Sequence, residues 1–209
     1  MKKTMCITYV VGDSLYVNVT NRCSNRCDFC IRNNGDGAYG SESLWLIREP
    51  TKSEILASIL SHDLGAYREL VFCGYGEPTF RLAEIAEISR RLKGKYPEVK
   101  IRINTNGQSD LILGCDSAPM YKGAFDTVSI SLNSSTPEGY ERICHPKDGS
   151  LAFGAILAFA RRVKTFVPNT VFSVVDEFIS ADELAECKRI AEECGVALRV
   201  REYIGPEEK

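Results

Sequence analysis

The stretch Leu15-Tyr-Val-Asn-Val-Thr-Asn-Arg-Cys23-Ser-Asn-Arg-Cys27-Asp-Phe-Cys30 carries a β-type segment directly into three closely spaced cysteines. Leu15 to Thr20 reads as the second arm of a hairpin that begins with Met5 to Val11 and turns at Gly12-Asp13. Cys23, Cys27 and Cys30 share one short loop, whereas Cys6, Cys73, Cys115, Cys144, Cys187 and Cys194 are scattered. Three thiolates on such a loop can converge on one metal centre. Tetrahedral zinc and a [4Fe–4S] cluster both ask for four ligands, and no fourth cysteine lies nearby. A closed zinc site would have to recruit His62, His145 or a distant cysteine. A cluster held by three cysteines instead leaves one iron open to a small molecule. Three reduced thiols with no metal are the remaining reading.

Beyond the loop, β-type runs recur with helix-type segments between them. They are Glu69 to Cys73, Val99 to Ile103, Asp126 to Ser131, Thr170 to Val175 and Ala197 to Arg201, which with Leu15 to Thr20 makes six. Thr51 with Glu54 and Ser180 with Glu183 have capping-box spacing, and Leu82, Ile85, Ile88 and Leu92 form one apolar helix face. Repeated strand-then-helix order implies a parallel sheet with right-handed crossovers. An eight-unit barrel takes about 250 residues. Six units in 209 residues therefore predict an α/β fold, an incomplete (βα)6 TIM-like barrel preceded by an N-terminal β-hairpin, with a flat doubly wound sheet as the alternative. No repeat, low-complexity tract or Pro-rich linker divides the chain, so one domain over 1–209 is expected. Ile31 to Pro50 is the longest irregular stretch and is read as an active-site cover.

Composition narrows the class. With 26 Lys+Arg against 28 Asp+Glu the net charge is -2, which offers no general attraction to nucleic acid. The basic groups Lys93, Lys95, Lys100 and Arg102, and Arg161, Arg162 and Lys164, are read as solvated faces. No run approaches 18 apolar residues, and Met1-Lys2-Lys3-Thr4-Met5-Cys6 lacks the apolar segment of a secretory signal, so a cytoplasmic protein without a membrane span is expected. An odd number of cysteines, nine, suits thiols or metal ligands better than disulfides.

In parallel α/β architectures ligands bind at the carboxyl ends of the strands. The predicted strands here end in Asn18 and Thr20, in Gly74-Tyr75-Gly76-Glu77-Pro78-Thr79, in Asn104-Thr105-Asn106-Gly107, and in Ser129, Ser131 and Asn133. The glycines of the second segment let backbone approach a ligand, and Glu77 offers acceptors to an ammonium group or caps the following helix. Short polar residues at the other ends suit a ribose or carboxylate, and equally suit turns.

Together these residues resemble the radical S-adenosylmethionine (radical SAM) superfamily. Cys23-x3-Cys27-x2-Cys30 with Phe29 before the last cysteine matches its cluster motif, and Gly74-Tyr75-Gly76-Glu77-Pro78 resembles its Gly-Gly-Glu-Pro motif with Tyr75 replacing the second glycine. Leu15 to Cys23, Leu44-Trp-Leu46 with Arg48-Glu-Pro-Thr51, and Gly74 to Thr79 resemble the small TatD-linked members. Ser131-Leu132-Asn133 and Tyr140 to Pro146 resemble, more loosely, the molybdenum-cofactor A-protein family, which carries a second, C-terminal cluster. Cys187 and Cys194 are the only late cysteines, and their helical spacing reads as a buried face.

The resemblance implies a [4Fe–4S] cluster on Cys23, Cys27 and Cys30 and S-adenosylmethionine on the open iron. It further implies Glu77 at the methionine ammonium, the backbone of Gly74 to Gly76 along the methionyl part, Ser131 at the ribose with Asn133 and Asn106 beside it, and Phe29 next to the cofactor. Reductive cleavage would then give a 5′-deoxyadenosyl radical for hydrogen abstraction, with an electron donor such as flavodoxin or ferredoxin. No residue set names the substrate. The alternatives are an activase placing a glycyl radical on a protein partner, and a non-catalytic metal-binding partner of a TatD-type hydrolase. His145 reads as a loop residue with a satisfied imidazole, and Arg199, Arg201 and Glu202 as strand residues facing either substrate or solvent.

Overall fold

Gly12 adopts a φ of 58°, a left-handed conformation open to glycine, and so closes a tight turn between β1 (Thr8–Val11) and β2 (Ser14–Val17). The two strands pair antiparallel, with Tyr9 opposite Tyr16. This computed structural model describes residues 5–203 and 205. From β2 onward every pairing is parallel, through β3 (Glu69–Phe72), β4 (Ile101–Thr105), β5 (Thr127–Ser131), β6 (Asn169–Val175) and β7 (Ala197–Arg201). Strand order in the sheet equals order in the chain, and the sheet does not close. The six parallel strands with their crossovers form the expected incomplete (βα)6 barrel.

The crossovers run through α1 (Lys52–Leu60), α2 (Leu82–Lys95), α3 (Ser109–Leu113), α4 (Pro137–Cys144), α5 (Leu151–Val163) and α6 (Ala181–Cys194). Both predicted capping boxes form, Thr51 with Glu54 and Ser180 with Glu183. Leu82, Ile85, Ile88 and Leu92 are all buried on α2. Cys187 and Cys194 are fully buried on α6 and belong to the hydrophobic core, as their spacing suggests. Among the described residues, no helix is long and apolar enough to cross a membrane.

Strand alternation divides the residues into two layers. Leu15, Val17, Leu70, Phe72, Ile101, Ile103, Val128, Ile130, Phe172 and Val174 point toward the helices and make the main core. Tyr16, Arg102, Asn104, Ser129, Ser131, Ser173, Arg199 and Arg201 point the other way and line a cavity. Arg102 is a correction to the sequence reading. It is only 7% exposed and sits inside the barrel, because it alternates with Ile101 and Ile103, whose side chains take the helix side of the strand, here Ile101–Thr105. Val99 is held in a turn by Tyr96, and the strand begins where Asp126 accepts the Ile101 amide.

The segment 31–50 is packed down along one wall. Asn18 Nδ2 donates to the Leu44 carbonyl at 2.7 Å, and Asn21 brackets Leu46 through both its carbonyl and its amide. Tyr75 donates its hydroxyl to Gly35 at 2.6 Å and joins Tyr9, Ala38 and Leu44 in a second small core.

Candidate active site

The ends of β3, β4 and β5 and the cysteine loop line one cavity of about 660 Å³, within the roughly 300–1,000 Å³ range of small-molecule sites. Its lining includes Cys23, Cys27, Phe29 and Cys30 from the loop, Gly74 and Glu77 after β3, Asn106 after β4, and Ser131 and Asn133 at the end of β5. The strand-end residues Asn18 and Thr20 lie outside that lining, and of the residues that the resemblance implies at the cofactors, Gly76 alone is also not in it. A Cβ there would stand 2.2 Å from the Thr20 carbonyl oxygen and 2.6 Å from that of Arg22, so its glycine is needed for packing against the chain's own backbone. Gly74 likewise leaves room for the Asn18 side chain, 2.2 Å from where a Cβ would lie.

The cysteine loop is anchored from below. Its amides at Arg26 and Asp28 donate to the carbonyls of Cys144 and Ile143, the orphan acceptors at the end of α4. His145 caps that helix with a φ of 42° and bonds Asp28 at 2.8 Å, so its imidazole is satisfied. Asn25 sits in a buried network, donating to Tyr140 at 2.8 Å and accepting from Gln108 at 2.8 Å. The same residue points its backbone amide at Cys23 Sγ (3.4 Å) and its side-chain amide at Cys27 Sγ (3.9 Å).

The three thiols face one cavity, but each takes a local partner. Cys27 shares a hydrogen bond with Cys144; that contact and burial hold its thiol well above the usual range. Burial, and then the Glu77 carboxylate, push Cys23 up to about 12, and burial raises Cys30. Among the described residues no three His, Cys, Asp or Glu side chains are gathered to hold a metal ion. Neutral thiols have no mutual attraction, whereas a bound cation deprotonates them and draws them together. A loop with three soft donors facing one chamber suits an iron–sulfur centre or zinc.

Glu77 is buried at the cavity wall with both oxygens engaged. Oε1 accepts from the Thr79 amide (3.1 Å), the Thr79 hydroxyl (2.7 Å) and the Thr105 hydroxyl (2.8 Å), and Oε2 accepts from the Asn106 amide at 2.7 Å. Burial nonetheless raises its pKa, because those hydrogen bonds offset only part of the cost of removing a carboxylate from water. Asn106 donates to Ser24 and accepts from the Gln108 amide, which ties the loop after β4 to the cysteine loop. Asn133 is different. It holds a φ of 58°, and its buried Oδ1 has no hydrogen-bond partner. Ser131 is half-buried beside it on the cavity wall. Phe29 packs on Phe178 at 5.0 Å, and Phe178 on Tyr203 at 5.1 Å, so the last strand's exit meets the cysteine loop.

Asn104 and Ser129, expected as polar strand ends, do line the cavity, whereas sequence reasoning missed Tyr16 and Ser173. Their signal is strand alternation, which becomes decisive once the apolar positions of each strand are assigned to the helix side.

The Radical SAM superfamily model matches residues 17–193. A probable GTP 3′,8-cyclase of Thermococcus kodakarensis is 29% identical over 196 residues, 93% of this chain and 58% of that protein. GTP 3′,8-cyclase 2 of Mycobacterium tuberculosis is 28% identical over 196 residues, 93% of this chain and 51% of that protein. The chain thus spans about half the length of these curated relatives. A radical SAM methyltransferase from Sphaerobacter thermophilus shares the fold at a TM-score of 0.61 and 15% identity, over 96% of this chain and 70% of that one. HydG, a maturase of the [FeFe]-hydrogenase, does so at 0.60 and 15%, over 93% and 44%. Cysteine loop, strand-end cavity, open barrel and family match agree, and the chain belongs to the radical SAM superfamily, whose members are enzymes using a [4Fe–4S] cluster and S-adenosylmethionine.

Proposed function

We propose that the chain, taken as one core unit over 1–209, binds S-adenosylmethionine against the cysteine loop and removes hydrogen from a substrate held in the same cavity. One observation carries this reading: the three loop thiols and the polar ends of three different strands line a single chamber. A [4Fe–4S] cluster on Cys23, Cys27 and Cys30 would supply the electron that cleaves S-adenosylmethionine to a 5′-deoxyadenosyl radical.

The chain's own residues supply placement. Asn133 Oδ1, buried and without a partner, calls for a donor such as a ribose hydroxyl, with Ser131 alongside. Glu77 braces the loops after β3 and β4, and Oε2, which has one partner, is the oxygen left to meet an ammonium group. Ile31, Ala38, Tyr39 and Leu44 of segment 31–50, with Phe29, line one side of the chamber and would limit water beside a reactive species.

The TatD-linked resemblance and the cyclase relatives both support a radical generator. The relatives' cyclase activity is not carried over, since the match covers about half of each. Cys187 and Cys194 are core thiols and do not build a second cluster. An external donor such as flavodoxin or ferredoxin would deliver the electron.

Anaerobically reconstituted protein with dithionite and S-adenosylmethionine should yield 5′-deoxyadenosine. Cys27→Ala should lose iron, sulfide and product together. A variant that retains iron and sulfide at the wild-type level would remove Cys27 from the ligand set.

A further inference from the structure

Inside the barrel, β7 presents Arg199 and Arg201, two residues apart and both on the cavity side. The neighbouring Arg102 is already neutralised. Its Nε lies 3.1 Å from each Glu69 oxygen, its Nη2 2.9 Å from Oε1, and its Nη1 donates to Asn104 at 3.0 Å. At the rim Arg68 stands 3.5 Å from Asp13.

The β7 pair has no such compensation. Arg199 makes one long hydrogen bond, 3.5 Å to the Ser129 hydroxyl. Arg201 Nε is buried without a hydrogen-bond partner. Neither guanidinium has an ion-pair partner among the described residues. Burial, and then the charges of Arg102 and Arg201, lower the pKa of Arg199 against a smaller opposing pull from Tyr16 and Glu69. Gathering like charges in a half-buried chamber costs folding free energy, and a bound anion relieves that cost.

We infer that Arg199 and Arg201 form a subsite for an anionic group of the substrate, a carboxylate or a phosphate. This deepens the proposed function and rests on its placing of substrate in this cavity. A guanidinium offers a planar fork that matches both anions with paired hydrogen bonds. Anchoring that group on β7 orients the remainder of a small polar molecule along the Tyr16 and Ser129 wall, in the chamber that also holds the cysteine thiols. It favours a small anionic substrate over the glycyl-radical alternative, in which a peptide backbone brings no charge for this pair.

Isothermal titration of the reconstituted protein with pyrophosphate and with citrate, at ionic strength held constant with sodium chloride, tests the subsite. One of the two anions should bind at a single site, and which one assigns phosphate or carboxylate. Arg199→Gln and Arg201→Gln should each weaken that binding about tenfold or more, the loss of a charge-assisted pair, while Arg189→Gln on exposed α6 leaves it unchanged. Arg199→Lys and Arg201→Lys keep the charge but lose the fork, and should weaken binding even if a glutamine variant folds poorly. Binding no stronger than the chloride background in the wild type, or binding that survives all four variants, overturns the subsite. Production of 5′-deoxyadenosine by the same preparation is scored separately. Its absence with anion binding intact sinks the radical reading alone, and its presence without anion binding sinks the subsite alone.

Discussion

Four hydrogen bonds converge on the carboxylate of Glu77, and their donors belong to the loop after β3 and to the end of β4 with the residue that follows it. The residue is therefore a strut between β3 and β4 as well as a wall of the cavity. Removing it leaves buried donors at Thr105 and Asn106 without an acceptor, and each such orphan costs about 1–3 kcal/mol. Glu77→Ala should lower stability by roughly 2–4 kcal/mol in urea denaturation, and should weaken S-adenosylmethionine binding while iron and sulfide content stay near wild type. Unchanged affinity for S-adenosylmethionine would reduce Glu77 to its bracing role. The two glycines before it follow the same logic, since Gly74 and Gly76 are small because Asn18, Thr20 and Arg22 occupy the space a side chain would need.

Among the elements, α1 and α4 show how helix ends are used. At α4, the last carbonyls are taken by amides of the cysteine loop, so the helix positions the loop through groups that would otherwise face water. At α1, Glu54 closes the capping box with Thr51 and also pairs with both terminal nitrogens of Arg48. The Arg48 hydrogen bond, then those from Thr51, lower its pKa from 4.5 to about 2. A carboxyl group whose pKa is lower folded than unfolded stabilises the fold above the unfolded value, and that contribution fades as pH falls through the folded one. Protection of the amides at the start of α1, taken against their intrinsic exchange rates at each pH, should fall between about pH 4.5 and pH 2, and this step should vanish in Glu54→Gln. Thr51→Ala should cost about 1 kcal/mol in denaturant unfolding.

For the whole molecule, the fold follows from a division of labour within each strand. Apolar residues face the helices, and polar residues face a chamber that stays open because β1 and β7 do not pair. Phe172, fully buried on the helix side of β6, should lose about 3–5 kcal/mol of stability on change to Ala in a urea titration. Far less loss would mean that the helix layer is loosely packed there. Much of this plan is legible along the chain: the hairpin, the six parallel strands, both capping boxes and the cysteine loop are written in local pattern, where spacing and propensity act over a few residues. Local pattern does not say which charged residues lie inside. Arg102 reads as one of a run of surface cations, yet strand register turns it inward onto Glu69, whose partnership spans 33 positions of sequence. Arg199 and Arg201 come to share the chamber, with Arg199 at Ser129, only once β7 is added beside β6 and the barrel curves. The sequence by itself thus determined the order of elements and the placing of three cysteines on one short loop. The tertiary structure decided which charged and aromatic side chains, Arg102 and Tyr16 among them, share the chamber with those thiols, because contacts across a barrel depend on register and closure.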